Sequence, residues 1–110
     1  MKKILMLFTI IILCGCSKNE TSISCSDTKT KINNGAVLVD VRTLQEYNEE
    51  HLENAINIPL DSIDQIEEII DKNTEIIVYC HSGNRSSQAL TKLKAMGYNN
   101  VYDLGAMENC

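Results

Sequence analysis

Short apolar runs rich in β-branched residues alternate along this chain with segments of helical periodicity. Four of these runs predict strands, at residues 36–41, 55–58, 75–79 and 101–104. Because helical segments separate the strands, we predict an α/β domain with a mainly parallel central sheet and helices on both of its faces. The runs at 36–41 and 75–79 are almost entirely apolar, which is typical of strands that are buried on both faces.

Capping patterns and apolar spacing predict the helices. Thr43 with Glu46, and Ser62 with Gln65, each match a capping box that opens a helix. The second predicted helix carries isoleucines on its inner face, at positions 63, 66, 69 and 70. A third helix is predicted over residues 86–96, with Gly97 as its C-terminal stop. Its buried face should comprise Ala89, Leu90, Leu93 and Met96.

The first fifteen residues have the pattern of a secretory signal peptide. Lys2 and Lys3 precede an apolar run over residues 4–13, which is too short to span a bilayer comfortably and lacks the polar face of a core helix. The run ends in Leu13-Cys14-Gly15-Cys16, which resembles the lipobox of bacterial lipoproteins. That resemblance implies lipidation of Cys16 and attachment to a membrane through the lipid. The competing interpretation is an ordinary secreted protein with Cys16 in a disulfide.

The remaining chain divides into a polar tether and one domain. Residues 16–22 are polar and without pattern, and residues 23–110 form the predicted domain. The formal net charge of −5 argues against nucleic acid as a partner, and it means that an anionic substrate must be held by local donors. Because of the signal peptide and the expected lipid at Cys16, we expect an extracytoplasmic, membrane-anchored domain on the periplasmic or cell-surface side.

Cys80 lies where the buried strand 75–79 ends and a helix is about to begin. Ligand sites in parallel sheets lie at the carboxyl ends of strands, and a helix N-terminus points free N–H groups at such a loop. Nearby cations and a helix N-terminus lower the pKa of a thiol and so favour the nucleophilic thiolate. The loop supplies further donors and a glycine for its turn: His81, Ser82, Gly83, Asn84, Arg85 and Ser86. This pattern predicts a sulfur nucleophile beside an anion site, although a buried structural thiol is the simpler interpretation of a cysteine alone.

The segment Tyr79-Cys80-His81-Ser82-Gly83-Asn84-Arg85-Ser86 is similar to the active-site loop of single-domain rhodaneses. Further matching segments follow in the order of that family: Val39-Asp40-Val41-Arg42, Glu46-Tyr47, His51-Leu52, Ala55-Ile56-Asn57-Ile58-Pro59-Leu60 and Asn100-Val101-Tyr102-Asp103-Leu104-Gly105. The resemblance extends from about Ile23 to the C-terminus and implies the rhodanese-like fold.

The resemblance implies a sulfurtransferase. Cys80 would attack the outer sulfur of a small-molecule donor such as thiosulfate, become a persulfide, and pass the sulfur to a thiol or cyanide acceptor. It implies no metal and no organic cofactor, and we expect a monomer. Asp40, Arg42 and His51 would support the loop structurally; for Asp40 and Arg42 this fits their place at the end of a buried strand.

The chain departs from the family pattern in two places. Ala106 follows Gly105 where a second glycine is common, and the chain reaches Cys110 where an aromatic residue is expected. Glu50 precedes His51 where the family often has glycine. These departures concern the substrate pocket rather than the fold.

Other functions remain open on the sequence alone. In this chain four residues separate Cys80 from Arg85. Phosphatases and arsenate reductases of the Cys-loop-Arg kind have five residues between the cysteine and the arginine. A non-catalytic rhodanese-fold module would commonly lack the cysteine or its loop, and a redox role is the remaining alternative.

Three cysteines, Cys25, Cys80 and Cys110, remain once Cys16 is modified, and in an oxidising compartment they cannot all pair within one chain. One hypothesis makes Cys110 a resolving thiol that attacks the persulfide and forms a disulfide with Cys80. The simpler alternative is that Cys110 is a frayed terminal residue without a partner.

Overall fold

The computed structural model describes residues 21–110, and these residues form four strands, three α-helices and two 3₁₀ segments. The strands are β1 (Val37–Asp40), β2 (Ala55–Asn57), β3 (Ile76–Cys80) and β4 (Val101–Ala106). The α-helices are α1 (Cys25–Asn33), α2 (Leu44–Glu49) and α3 (Asn84–Ala95). A connecting 3₁₀ segment spans Leu60–Glu68, and a C-terminal 3₁₀ turn spans Met107–Asn109. The predicted signal peptide, the lipobox and Cys16 lie outside the described residues.

The strands form one sheet in the order β2-β1-β3-β4, and every neighbouring pair is parallel. Alternate side chains of β3 point to opposite faces, so Ile76, Val78 and Cys80 join one core cluster and Ile77 and Tyr79 join another. Helix α3 and the connecting 3₁₀ segment cover the first face, whereas α1 and α2 contribute to the second. The predicted α/β fold with helices on both faces is confirmed.

Helix α3 follows its prediction closely. Ala89 and Leu93 are fully buried, and Gly97 adopts a φ of +103° just beyond the helix, as expected of a C-terminal stop. The helix begins at Asn84, two residues before the predicted start, because the end of the Cys80 loop is already helical. This earlier start brings the helix N-terminus closer to Cys80.

The capping box predicted at Ser62 is wrong. The segment is a 3₁₀ structure without a side-chain cap, and Ser62 itself is non-helical, with φ −118° and ψ 19°, at a kink between two turns. Ile63, Ile66 and Ile70 are buried as predicted, but 65% of Ile69 is exposed. Ile69 lies at the C-terminal cap, where helical winding has ended, so the spacing that placed it on the inner face no longer applies.

Helix α1 has no counterpart among the predicted elements. Its sequence is mostly polar, and Thr28 is its buried residue, so it lacks the apolar stripe that identifies most helices. Ser24 caps it by accepting the Asp27 N–H at 3.1 Å. Just before it, the end of the predicted tether joins the sheet, because the Asp103 N–H donates to the Thr21 carbonyl at 2.7 Å. Between residues 21 and 110, no helix combines the length and the apolar character needed to cross a membrane.

Candidate active site

Cys80 is the last residue of β3, and its side chain is fully buried at the start of the loop that leads into α3. The backbone N–H groups of Gly83 and Ser86 donate to its sulfur, at 3.0 and 3.3 Å. The loop therefore curls around the sulfur and points N–H donors at it. The predicted combination of strand end, cysteine and helix N-terminus is present as a geometric unit.

The turn of this loop depends on Gly83. Its φ of +101° lies in the left-handed region, and it serves as the N-cap of α3. A residue with a Cβ atom would carry a cost of about 1–2 kcal/mol in this conformation. The space around it is not the constraint, because an added Cβ would meet the Gly105 Cα at 3.8 Å, an ordinary contact. Glycine is therefore needed here for its backbone conformation.

Opposing influences act on the pKa of the Cys80 thiol. Burial is the largest and raises the pKa, but hydrogen bonds from Ser86 and from the N–H groups of Gly83 and Ser82 together outweigh it. The net effect is a pKa below the ordinary value for cysteine. The Ser86 hydroxyl donates to the Gly83 carbonyl at 3.1 Å, so this hydroxyl must rotate before it can donate to the Cys80 thiolate. The backbone N–H groups need no such movement.

Arg85 lies in the loop as predicted but is engaged by another side chain. Its guanidinium forms two hydrogen bonds to Glu46 of α2, at 2.7 and 3.0 Å, and both side chains are about one-third exposed. The sequence indicates Glu46 through its capping box with Thr43, which is present, and through the family match at Glu46-Tyr47. The Arg85 guanidinium is the largest of several hydrogen-bonding influences that lower the pKa of Glu46 to about 2. The sequence contained no signal for this pair, because the two residues are 39 positions apart.

Asp40 and Arg42 form a buried network under the loop. Two nitrogens of the Arg42 side chain donate to the Asp40 carboxylate at 2.7–3.1 Å, and the hydroxyl of Tyr79 donates to the same carboxylate at 2.8 Å. Arg42 also donates to the Glu50 carbonyl at 2.7 Å, and the Tyr79 hydroxyl accepts the Leu52 N–H at 3.0 Å. The hydrogen bonds to Asp40 raise the pKa of Arg42, and burial raises the pKa of Tyr79.

This network connects the end of β1, the residue before Cys80 and the segment around residues 50–52. Asp40 and Arg42 are bonded to each other at this place, and sequence reasoning missed that Tyr79 completes their network. His51 lies at the edge of this region, stacked on the Tyr47 ring at 3.8 Å with its Nδ1 at 2.7 Å from the Tyr47 carbonyl oxygen.

A cavity of about 560 Å³ opens beside the loop. His81 and Ser82, the two residues that follow Cys80, form part of its wall. The rest of its wall comes from the segment after α2 and from the C-terminus: Glu50, His51, Leu52, Ala106, Met107, Glu108 and Cys110. Asn84 instead begins α3. The cavity offers room for a small donor next to the loop.

The hypothesis that Cys110 pairs with Cys80 is wrong, and so is the alternative that Cys110 has no partner. Cys110 forms a disulfide with Cys25, with their Cα atoms 5.2 Å apart, and Cys80 is the free cysteine of residues 21–110. The C-terminal 3₁₀ turn directs Cys110 toward the first residue of α1. The sequence could not show this, because the two cysteines are 85 positions apart and α1 lacks the apolar stripe that identifies most helices.

The site can therefore stabilise negative charge on a sulfur atom, through N–H donors that are already in place. Within the described residues, no three or more His, Cys, Asp and Glu side chains are grouped so that they could hold a metal ion.

Comparison of the sequence with known proteins identifies its family. The rhodanese-like domain family matches residues 24–108. The chain belongs to the rhodanese-like family. It is 38% identical over 73 residues to the thiosulfate sulfurtransferase PspE of Escherichia coli K12, an alignment that covers 64% of this chain and 70% of that protein.

Solved rhodanese structures have the same fold. A structure described as a rhodanese with anions from E. coli aligns with a TM-score of 0.64 and 38% identity, covering 68% of this chain and 91% of the other. The human single-domain sulfurtransferase TSTD1 aligns with a TM-score of 0.72 and 21% identity, covering 81% of this chain and 93% of the other, and supports the fold alone.

Proposed function

We propose that this rhodanese-like chain is a sulfurtransferase that carries sulfane sulfur as a persulfide on Cys80. The observation that carries the proposal is the pair of N–H donors, from Gly83 and Ser86, that converge on the Cys80 sulfur. Rhodanese-type sulfur transfer is also the activity named for the single-domain relative PspE. The chain is accordingly an enzyme of the rhodanese type.

The proposed first step is nucleophilic attack by the Cys80 thiolate on the outer sulfur of thiosulfate. A sulfur–sulfur bond forms at Cys80 as the sulfur–sulfur bond of thiosulfate breaks, and sulfite leaves with the bonding electron pair. In the second step cyanide or a thiolate attacks the outer sulfur of the persulfide. The products are thiocyanate or a new persulfide, and the Cys80 thiolate is regenerated.

The loop favours this chemistry because it is built for a negative charge. The N–H groups are positioned before the reaction, so that the donors need little rearrangement as charge develops. The N-terminus of α3 adds the positive end of its dipole. The Asp40–Arg42–Tyr79 network holds the strand end that carries Cys80, and thereby keeps the sulfur within hydrogen-bonding distance of the N–H donors.

Mass spectrometry of the intact protein tests the proposal. Thiosulfate should add one sulfur atom, and cyanide should remove it as thiocyanate. The matched control is Cys80→Ser, which should do neither while remaining folded. Sulfur addition by the Cys80→Ser protein, or none by the wild type with any sulfane donor, would refute the mechanism. Hydrolysis of a phosphate ester in place of sulfur transfer would identify the phosphatase alternative.

We propose in addition that Cys16 is lipidated and holds a monomeric domain at the outer side of a membrane. The support is the segment Leu13-Cys14-Gly15-Cys16 after an apolar run. In a bacterial host, Cys16→Ala should move the protein from the membrane fraction to a soluble or precursor form, whereas Cys14→Ala should leave it at the membrane. A wild-type protein that is soluble and unacylated would contradict the proposal.

A further inference from the structure

Two acidic residues line the cavity beside the Cys80 loop. Glu50 approaches from the segment after α2, and Glu108 approaches from the C-terminal 3₁₀ turn. Both side chains are exposed to solvent. Of the nine lining residues from the described part of the chain, none is lysine or arginine. The two glutamates therefore give this part of the wall negative charge, and its basic lining residues are two histidines, His51 and His81.

The nearest cation of the loop does not offset this charge. The guanidinium of Arg85 is paired with the Glu46 carboxylate through two hydrogen bonds, so that the pair is neutral as a whole. The N–H donors that converge on Cys80 are partial charges, and they act on the sulfur itself. A dianion in the cavity therefore lies beside two acidic residues of its wall.

Both carboxylates are carried by anchored backbone. The Glu50 carbonyl accepts a hydrogen bond from Arg42 at 2.7 Å, and Arg42 belongs to the buried network under the loop. Glu108 lies two residues before Cys110, whose disulfide to Cys25 fixes the chain end. The neighbouring Asn109 side chain donates to the Leu104 carbonyl at 2.8 Å. The backbone that carries both residues is thus fixed at the cavity wall.

We propose that Glu50 and Glu108 determine donor specificity, by disfavouring dianionic sulfur donors relative to donors that carry one negative charge or none. The inference rests on the proposed sulfurtransferase function. Coulomb repulsion scales with the charge of the donor, so a dianion experiences twice the repulsion that a monoanion does at the same position. Dissolved salt screens the interaction because the carboxylates are exposed.

Two donors of similar chemistry and different charge test the proposal. Thiosulfate is a dianion and releases sulfite, whereas methanethiosulfonate is a monoanion and releases methanesulfinate. The measured quantity is the ratio of kcat/KM for thiosulfate to kcat/KM for methanethiosulfonate, at low and at high ionic strength. Glu50→Gln and Glu108→Gln should each raise this ratio by about 2-fold at low ionic strength, and the double variant by about 4-fold. In the wild type, added salt should raise kcat/KM for thiosulfate, because it screens a repulsion.

Glu68→Gln is the matched control. Glu68 is exposed on the connecting 3₁₀ segment and does not line this cavity, yet the substitution changes the net charge equally. Its donor ratio should equal that of the wild type. An unchanged ratio in the Glu50→Gln and Glu108→Gln double variant, or the same change in Glu68→Gln, would overturn the inference. Failure of the wild type to use either donor would instead refute the proposed function.

Discussion

Breaking the disulfide between Cys25 and Cys110 should cost the domain a large fraction of its stability. The bond joins the first residue of α1 to the last residue of the chain, across a sequence separation of 85. It therefore restricts almost the whole domain when the chain is unfolded. Thr28 is the buried residue of helix α1, and the bond adds a covalent attachment of this helix to the rest of the fold.

The magnitude follows from the length of the loop that the bond closes. In the chain-entropy treatment, a separation of 85 residues corresponds to about 4.6 kcal/mol at 25 °C. Small domains have total stabilities of about 5–15 kcal/mol, so this loss is a large fraction of the whole. With a urea m-value of about 1.5 kcal/mol/M, the unfolding midpoint should fall by about 3 M.

Equilibrium unfolding in urea, followed by circular dichroism, measures this change. The double substitution of Cys25→Ser with Cys110→Ser should lower the midpoint, and reduction of the wild type should lower it by the same amount. A reductant should not change the midpoint of the double variant, which separates loss of the bond from other effects of the reagent. A midpoint shift below about 0.5 M would refute the reasoning, since it would mean that the bond does little to restrict the unfolded chain.

Three further outcomes follow from the site. Glu46→Gln removes the ion pair with Arg85 and should cost no more than about 1 kcal/mol of unfolding free energy, because the pair is partly exposed. Because the pKa of Glu46 in the folded protein is lowered to about 2, the stabilisation by this pair is present above about pH 4.5 and is lost as the pH falls toward 2. Urea unfolding midpoints of the wild type and of Glu46→Gln, measured at a series of pH values, should therefore converge as the pH falls. Gly83→Ala should destabilise the protein by about 1–2 kcal/mol, and it should also raise the pKa of Cys80. The pH dependence of thiol alkylation measures this pKa, and an unchanged pKa would contradict the assigned role of the loop. Tyr79→Phe should cost about 1–3 kcal/mol because it leaves buried polar groups without a partner, and a loss below about 0.5 kcal/mol in thermal or urea unfolding would argue against the network.

The local features of the fold could be predicted where a short segment determines its own structure. The capping box of Thr43 and Glu46 is present as predicted, and so is the glycine stop after α3. The mostly apolar runs became the predicted parallel strands, with boundaries shifted by one or two residues. Prediction was wrong at Ser62 and Ile69, where a proline-led 3₁₀ segment replaced a regular helix.

The amino-acid sequence by itself determined that a buried strand ends at Cys80 and that a donor-rich loop leads from it into a helix. Apolar patterning and turn residues act over a few positions, so this unit can be recognised without knowledge of the rest of the chain. Only the tertiary structure decided that Glu46 engages Arg85, that Tyr79 joins Asp40, and that Cys110 binds Cys25 rather than Cys80. These partners lie 39 to 85 positions apart, and they meet because the parallel sheet and its crossover helices bring distant segments together. Residue spacing carries no information about such pairs, because the order of the strands in the sheet and the packing of helices on its faces set their distances.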